Sequence, residues 1–124
     1  MGTTTTTLVK KSLDKPEEVR RFAGHGFANV ATLADGAVLR AHFQSGWKWS
    51  QDVKPLAGTD TCQAAHVGYV MSGRMRIRMN DGTEQEFGPG DLMEVAPGHD
   101  GWTVGGEECI VLDWGPSVAK YAQK

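Results

Sequence analysis

The sequence has little of three things that mark common classes of protein: excess positive charge, cysteine and long apolar runs. Thirteen lysines and arginines against fifteen aspartates and glutamates leave a formal net charge of −2 and a pI near 6.0. This balance gives no long-range attraction to phosphate backbones or anionic lipids, so we expect no nucleic-acid partner. No apolar run approaches the roughly 20 residues that a membrane-spanning helix needs, so we expect no membrane partner.

Cysteine is scarce as well. Cys62 and Cys109 are the only two, which is too few for a disulfide framework. No apolar signal segment precedes them, because residues 1–8 are mostly threonine. We therefore expect free thiols in a reducing, cytoplasmic compartment.

The length allows one compact domain, because 124 residues with 40% hydrophobic content can bury a single core. We expect residues 1–8 to form a flexible tail or an added edge strand, and residues 9–124 to form the domain. Asp14 and Glu17 have the spacing of a helix capping box around Pro16. This spacing predicts one short N-terminal helix over residues 16–22.

Most of the remaining chain has the alternation that is typical of β-strands. Residues 37–43 alternate apolar with polar side chains, and residues 74–79 place apolar side chains on one face and three arginines on the other. A tight-turn signal, Asp81-Gly82, separates the second strand from a third that ends at residue 87. We expect the arginine face to meet solvent or a partner subunit. Short strands between glycine turns indicate an all-β barrel or sandwich.

Two glycine-punctuated segments, residues 66–73 and 90–99, flank this hairpin. They resemble the two signature motifs of the cupin superfamily, G-x5-H-x-H-x3-4-E-x6-G and G-x5-P-x-G-x2-H-x3-N. The resemblance covers residues 46–114. It implies a cupin-type antiparallel β-barrel of jelly-roll type, a homodimer, and a barrel lumen of the kind that usually holds a metal.

The metal-binding positions of the motifs carry other residues in this sequence. Counting back from the glycine that ends the first motif, His66 takes the place of the family's glutamate. Cys62 and Asp60 take the places of its two histidines. In the second motif Gly101 stands where the histidine belongs, and His99 lies two residues earlier.

This changed set of residues still predicts a metal site. Imidazole and thiolate groups favour borderline-soft divalent ions such as zinc or iron. The predicted ligands are His66, His99, Cys62 and Asp60. His66 is the strongest of them, because an imidazole that faces the lumen needs a partner there. The alternative is that Cys62 is a small buried apolar residue, Asp60 a turn residue and His99 an exposed loop histidine.

Aromatic residues near the motifs predict a ligand pocket. Trp47 and Trp49 alternate along the chain, Tyr69 lies in the first motif, and Trp102 follows the second. With His66, these residues would bind an apolar or aromatic molecule at the barrel mouth, oriented by indole N–H groups. Packing in the core or in a dimer interface is the alternative.

Two functions follow from these features. In the first, the protein binds a small molecule inside the barrel, with or without a divalent metal. In the second, a metal held by His66 and His99 makes it an enzyme of the oxygenase, isomerase or hydrolase type. The fold does not decide between them, because one fold hosts many activities.

Overall fold

The structure, a computed structural model, describes residues 7–123. Its strands are β1 (Glu18–Arg21), β2 (Gly26–Leu33), β3 (Gly36–Phe43), β4 (His66–Ser72), β5 (Arg74–Met79), β6 (Glu84–Phe87), β7 (Leu92–Val95), β8 (His99–Val104) and β9 (Cys109–Asp113). Two four-residue helices, α1 (Trp49–Asp52) and α2 (Lys54–Ala57), connect β3 to β4. Neither they nor any other helix in residues 7–123 has the length and apolar content to cross a membrane.

The strands form two antiparallel sheets that enclose one core. The larger sheet has six strands in the order β1-β2-β3-β9-β4-β7, and the smaller has three in the order β6-β5-β8. Buried apolar side chains from both sheets, such as Leu39 of β3 and Met75 of β5, meet in a single cluster. This arrangement confirms the predicted all-β jelly roll.

Strand alternation was a reliable guide to the faces of the sheets. In β3, Leu39, Ala41 and Phe43 are buried, as predicted. The hairpin of β5 and β6 also forms as predicted, because Met79 N–H donates to Thr83 O at 2.8 Å and Gly82 adopts a φ of 92° in the turn. The arginines of β5 lie on the outer face, where Arg74 and Arg76 pair with glutamates of β6.

The predicted N-terminal helix over residues 16–22 is wrong. Residues 18–21 instead form β1, which pairs with β2. Glu17 does not close a capping box; its side chain accepts the backbone N–H of Thr32 at 2.8 Å and the ammonium of Lys11 at 2.9 Å. A seven-residue helix would lack the length to stabilise its own nucleus, whereas pairing with β2 satisfies the same backbone groups. Residues 1–6 of the predicted tail or edge strand lie outside the described residues. Leu8 is exposed and is not part of a strand.

The segment after β9 packs against the core. It buries Val118 and Tyr121 against the core. The guanidinium of Arg20, in β1, donates hydrogen bonds to the carbonyl oxygens of Val118, Ala119 and Tyr121 at 2.6–3.0 Å. Glu18 pairs with the same guanidinium at 3.0 Å. A buried charged side chain therefore holds the C-terminal segment in place.

Substituting Arg20→Met is expected to lower the free energy of unfolding by about 2 kcal/mol, because it removes charge-assisted hydrogen bonds and leaves buried carbonyl oxygens without a donor. Chemical denaturation of the purified variant measures this change. Arg21→Met is the matched control, since Arg21 is exposed in the same strand, and a change of at most about 0.5 kcal/mol is expected there. Equal effects of the two substitutions would contradict the role given to Arg20.

Candidate functional site

The space between the two sheets contains a small cavity of about 40 Å³. Most of its wall is apolar and comes from both sheets, including Leu39, Phe43, Met75, Ile77, Met93 and Val111. The ionisable side chains in the wall are His66, His99, Asp113 and Tyr121. A group of polar residues therefore interrupts an otherwise apolar lumen.

Cys62 and His99 are brought together by main-chain pairing. Cys62 N–H donates to His99 O at 2.7 Å, and His99 N–H donates to Cys62 O at 3.2 Å. This isolated antiparallel bridge places the two residues directly opposite each other, where side chains on one face come into contact. Both residues are buried. The turn at Gly98, with a φ of 94°, allows the chain to enter β8 at this point.

His66 completes a cluster of three possible metal ligands. It is the first residue of β4, and its Nε2 atom lies 3.7 Å from Cys62 Sγ. One ligand atom from each of Cys62, His66 and His99 lies within 4.8 Å of the others. The rings of His66 and His99 have centroids 5.2 Å apart. The structure thus brings together three of the four predicted ligands.

Both imidazole rings are held in place through the nitrogen that faces away from the cysteine. His66 Nδ1 lies 2.6 Å from Asp113 Oδ2, and His99 Nδ1 lies 2.8 Å from the carbonyl oxygen of Ala96. In the neutral form of each ring the Nδ1–H donates to its acceptor, and the lone pair of Nε2 is then available for a ligand. Metal-binding histidines in proteins are oriented in this way.

Asp113 is part of the site but was not among the residues predicted from the sequence. Its other carboxylate oxygen accepts the backbone N–H of Gly115 at 2.9 Å, so the carboxylate is buried with partners. The signal was in the sequence, because residues 109, 111 and 113 of the last strand share one face. Cys109 and Val111 are buried on that face, and an aspartate that continues the pattern must point inward too.

Charge stabilises the ionised thiol in this cluster. Burial by itself raises the pKa of Cys62, but the hydrogen bonds and charges of His66 and His99 outweigh burial and lower that pKa to about 6. Burial likewise lowers the pKa of His66, but Asp113 and Cys62 outweigh it and raise that pKa to about 9. The protein without metal therefore holds a thiolate beside an imidazolium at neutral pH.

Two kinds of chemistry fit these residues. One is metal binding by a thiolate and two imidazoles, with Asp113 behind one ring. The other is nucleophilic attack by Cys62, with His66 and Asp113 arranged as the base and its orienting carboxylate. The imidazoles of His66 and His99 line the cavity. Cys62 is 2% exposed and is not part of the cavity wall, so a molecule in the cavity does not contact the thiol. The position of the thiol favours metal binding.

Asp60 does not join the cluster, contrary to the prediction that it is a ligand. Its side chain is fully exposed and lies 3.7 Å from the ammonium of Lys54. The prediction assumed that Asp60 and Cys62 alternate along one strand. Residues 59–61 form a bend instead, in which Thr59 Oγ1 donates to Thr61 O at 2.8 Å, so strand alternation does not apply.

The predicted aromatic pocket is only partly present. Trp47 and Trp49 are buried and line the cavity. Trp102 lies on the outer side of β8, where the ammonium of Lys48 is 5.7 Å from its ring, and Tyr69 is 38% exposed. Both are separated from the cavity because they alternate with inward-facing neighbours, which corrects the prediction that they contact a ligand in the lumen.

Comparisons with known proteins identify the fold. No protein-family model and no curated protein matches this sequence. Among solved structures, a formate complex of oxalate decarboxylase from Lactobacillus farciminis has a TM-score of 0.60 and 14% identity over 90% of this chain. This chain spans only 33% of that protein.

Shorter proteins match over most of both chains. An RmlC-like cupin from Shewanella frigidimarina has a TM-score of 0.58 and 14% identity, and the match covers 91% of this chain and 96% of that one. Ectoine synthase from P. lautus has a TM-score of 0.58 and 10% identity, with 86% and 78% covered. At such identities the likeness concerns the architecture, and it shows that this chain has the fold of the cupin superfamily.

Proposed function

We propose that this protein binds a divalent transition metal in its lumen through Cys62, His66 and His99, and that it binds a small molecule in the adjoining cavity. The observation that carries this proposal is the orientation of the two rings. Each imidazole has its Nδ1 atom occupied by a protein acceptor, Asp113 in one case and the Ala96 carbonyl in the other. Both rings are thereby held beside the thiol, and each neutral ring has its Nε2 lone pair available for a metal ion.

The donor set and its spacing fit zinc best. Zn–S bonds of about 2.3 Å and Zn–N bonds of about 2.0–2.1 Å in a tetrahedral site place sulfur and nitrogen about 3.6 Å apart. The 3.7 Å between Cys62 Sγ and His66 Nε2 agrees with that spacing. Iron is the second candidate, because it shares these ligands. When bound, an ion with three protein ligands supplies a Lewis acid with an exchangeable position.

The chain's own residues prepare the site for such a role. Asp113 fixes the tautomer of His66 and increases the basicity of the ring. Tyr121 packs its ring edge-on against His66, with centroids 5.2 Å apart, and closes the site on the C-terminal side. The apolar wall limits the water around the ion, which strengthens its interaction with a bound molecule.

Catalysis is the alternative to binding alone. Because His66 and His99 line the cavity, a molecule bound there lies beside the position that an ion would take. This proximity favours a metal-dependent reaction of the oxygenase, isomerase or hydrolase type, and turnover of a bound molecule would distinguish it from binding.

We further propose that the protein is a homodimer. Tyr69, Met71 and Leu92 are exposed on the outer face of the six-stranded sheet, and Tyr69 and Leu92 are paired across β4 and β7. Trp114, just after β9, is 46% exposed. A group of exposed large apolar residues on one sheet face is typical of a subunit interface. A cytoplasmic location stays a prediction from the sequence.

Removing a ligand is expected to abolish tight zinc binding. His66→Ala, His99→Ala and Cys62→Ala should each weaken zinc affinity by at least about 100-fold, since losing even a residue behind a ligand weakens binding by about 10–100-fold. Competition with a chromophoric chelator, together with elemental analysis, measures the affinity and the stoichiometry. Asp113→Asn should weaken zinc affinity by about 10–100-fold.

The control for these variants is His42→Ala, because His42 lies on the outer face of the sheet and stacks on Phe27 with centroids 4.5 Å apart. Circular dichroism confirms that each variant is folded. Stoichiometric zinc that persists in both His66→Ala and Cys62→Ala would contradict the proposed centre.

In the metal-free protein, the Cys62 thiol is expected to ionise with a midpoint near pH 6, because its pKa is lowered to about 6. An ordinary thiol ionises near pH ~8.5. Cys109 should stay protonated through this range, because burial raises its pKa to about 12. The ultraviolet absorbance of the thiolate follows the titration. The transition should disappear in Cys62→Ser and persist in Cys109→Ser, and the reverse result would contradict the described electrostatics.

Leu92→Glu is expected to convert the dimer into a monomer, because it places a charge on the apolar face, where Leu92 is 74% exposed on the edge strand β7. Size-exclusion chromatography with light scattering measures the mass. Val19→Glu is the control, since Val19 is 44% exposed on β1, at the opposite edge of the same sheet. A wild-type protein that is monomeric at high concentration would rule out the homodimer.

A further inference from the structure

A second and larger space lies outside the cavity, and we call it the outer cleft. It has a volume of about 440 Å³, and its wall comes from two segments, residues 49–64 and residues 116–123. Its floor is apolar and buried, since Trp49, Val53 and Tyr121 are each at most 7% exposed. The polar side chains of its wall belong to Thr59, Gln63, Ser117, Lys120 and Gln123. An apolar floor with a few polar groups is typical of a pocket for a small organic molecule.

Two aromatic side chains separate the outer cleft from the cavity. Trp49 and Tyr121 line both spaces. The proposed metal ligands lie on the two sides of this partition, because Cys62 is in the wall of the outer cleft while His66 and His99 are in the wall of the cavity. The Tyr121 ring lies edge-on to the His66 ring, with centroids 5.2 Å apart. A displacement of Tyr121 would therefore join the two spaces at the proposed metal centre.

The segment that carries Tyr121 is attached to the barrel by side chains. No main-chain hydrogen bond joins residues 116–123 to a strand or a helix in the part of the chain that the structure describes. The guanidinium of Arg20 donates to three carbonyl oxygens of the segment, and Ser117 Oγ accepts the N–H of Ala65 at 2.9 Å. Such a segment can open locally while the sheets stay paired.

The backbone next to Tyr121 is strained. Ala122 has a φ of 55°, in the left-handed region that residues other than glycine rarely adopt. A conformation of this kind is unfavourable and persists only where its surroundings hold it. The buried position of Tyr121 is thus maintained against a local strain, which favours a segment that also opens.

The cavity alone is too small for most organic ligands. Its volume of about 40 Å³ is roughly three times the space that one water molecule needs, so it admits about three or four non-hydrogen atoms. The outer cleft is within the range of about 300–1,000 Å³ that is typical of ligand pockets. A molecule that reaches the metal centre would therefore place a small group in the cavity and its body in the outer cleft.

The lining of the outer cleft favours an aromatic molecule without positive charge. Trp49 and Tyr121 contribute two aromatic rings to the floor, and aromatic rings pack well on one another. Besides Cys62, which lies 3.7 Å from His66, Lys120 is the one ionised side chain among the described residues of the lining, and none is acidic. The field of the lysine disfavours a cationic ligand relative to a neutral or anionic one.

We infer that the outer cleft binds the body of an aromatic molecule, neutral or anionic, and that Tyr121 moves aside so that a small group of this molecule reaches the cavity. The inference rests on the proposed function only for the metal ion that this group would meet. Binding in the outer cleft and the movement of Tyr121 do not depend on a metal.

Nuclear magnetic resonance of the ¹⁵N-labelled, metal-free protein tests the binding site. Benzyl alcohol and benzoate are each expected to shift the indole N–H resonance of Trp49, which is assigned by its loss in Trp49→Phe. The indole of Trp102, on the outer side of β8, is the control and should not respond. Benzylamine, which is a cation at neutral pH, should bind about two- to fivefold more weakly than benzoate, as the contribution of an exposed charged side chain implies. An unresponsive Trp49 would overturn the site, and tighter binding of benzylamine than of benzoate would overturn the assignment of charge.

Alkylation of the metal-free protein by iodoacetamide, followed by peptide mass spectrometry, tests the movement of Tyr121. Cys62 is 2% exposed, so the reagent reaches its thiol only when the segment opens. Tyr121→Ala should accelerate alkylation of Cys62 at least about tenfold, because removing a large buried side chain favours the open state. Tyr121→Phe keeps the ring and should restore a rate within about twofold of the wild type. In the wild type, benzoate should slow the reaction of Cys62, because it occupies the cleft beside the thiol.

Cys109 is the internal control for this experiment, since it is 0% exposed in β9 and should stay unreactive in each variant. An unchanged rate at Cys62 in folded Tyr121→Ala would overturn the movement of Tyr121. Acceleration at both cysteines would show that the variant has lost its fold, and the wild type then decides.

Hydrogen exchange of the wild type tests the same movement without a substitution. The N–H of Ala65, which donates to Ser117 Oγ, should exchange at least about tenfold faster than the N–H of Val70, which donates to Asp91 O at 3.0 Å, because the segment opens more readily than the barrel unfolds. Equal protection of the two amides would mean that the segment opens only when the whole fold does, and it would rule out the movement.

The outcomes separate this inference from the proposed function. Zinc binding without a response of Trp49 to benzyl alcohol or benzoate would leave the metal centre and overturn the cleft. A response of Trp49, together with protection of Cys62 by benzoate, in a protein that does not bind zinc would overturn the metal centre and support the cleft.

Discussion

The hydrogen bond between His66 Nδ1 and Asp113 Oδ2, at 2.6 Å, is the interaction on which the rest of the site depends. It joins the start of β4 to the end of the adjacent β9, and it decides which ring nitrogen of His66 faces Cys62. Because Asp113 also accepts the N–H of Gly115, the same carboxylate fixes the start of the C-terminal segment. That segment places the ring of Tyr121 edge-on to the His66 ring, with centroids 5.2 Å apart. The buried carboxylate of Asp113 therefore joins the strands, the C-terminal segment and the site.

The charged groups in the lumen stabilise one another. Its apolar wall would make an isolated thiolate or imidazolium costly, yet Cys62 and His66 lie close enough to stabilise each other's charges. Within residues 7–123, the indole N–H of Trp47 is the one buried side-chain donor without an acceptor, and its ring lines the same cavity. A metal ion beside the histidines would use the ligand atoms that Cys62, His66 and His99 bring together.

The sequence was sufficient for the fold wherever strands alternate and turns have clear glycine signals, as in β3 and the hairpin of β5 and β6. It was misleading at residues 16–22, where a helix-capping pattern is present but residues 18–21 form a strand that pairs with β2. For the site, motif positions identified His66, Cys62 and His99. They also suggested Asp60, which is exposed, because the bend that interrupts strand alternation there was not recognised from the sequence. Asp113 was missed since a single aspartate at a strand end resembles a turn residue. Its partner lies 47 positions away in the chain, and only the fold brings the two together.

The central claim is that one thiolate and two imidazoles form a metal centre, and X-ray absorption at the zinc edge of the loaded protein tests it most directly. The account predicts a first shell with one sulfur at about 2.3 Å and two imidazole nitrogens at about 2.0–2.1 Å, completed by one exchangeable light atom. A shell without sulfur, or one made of oxygen atoms alone, would contradict it.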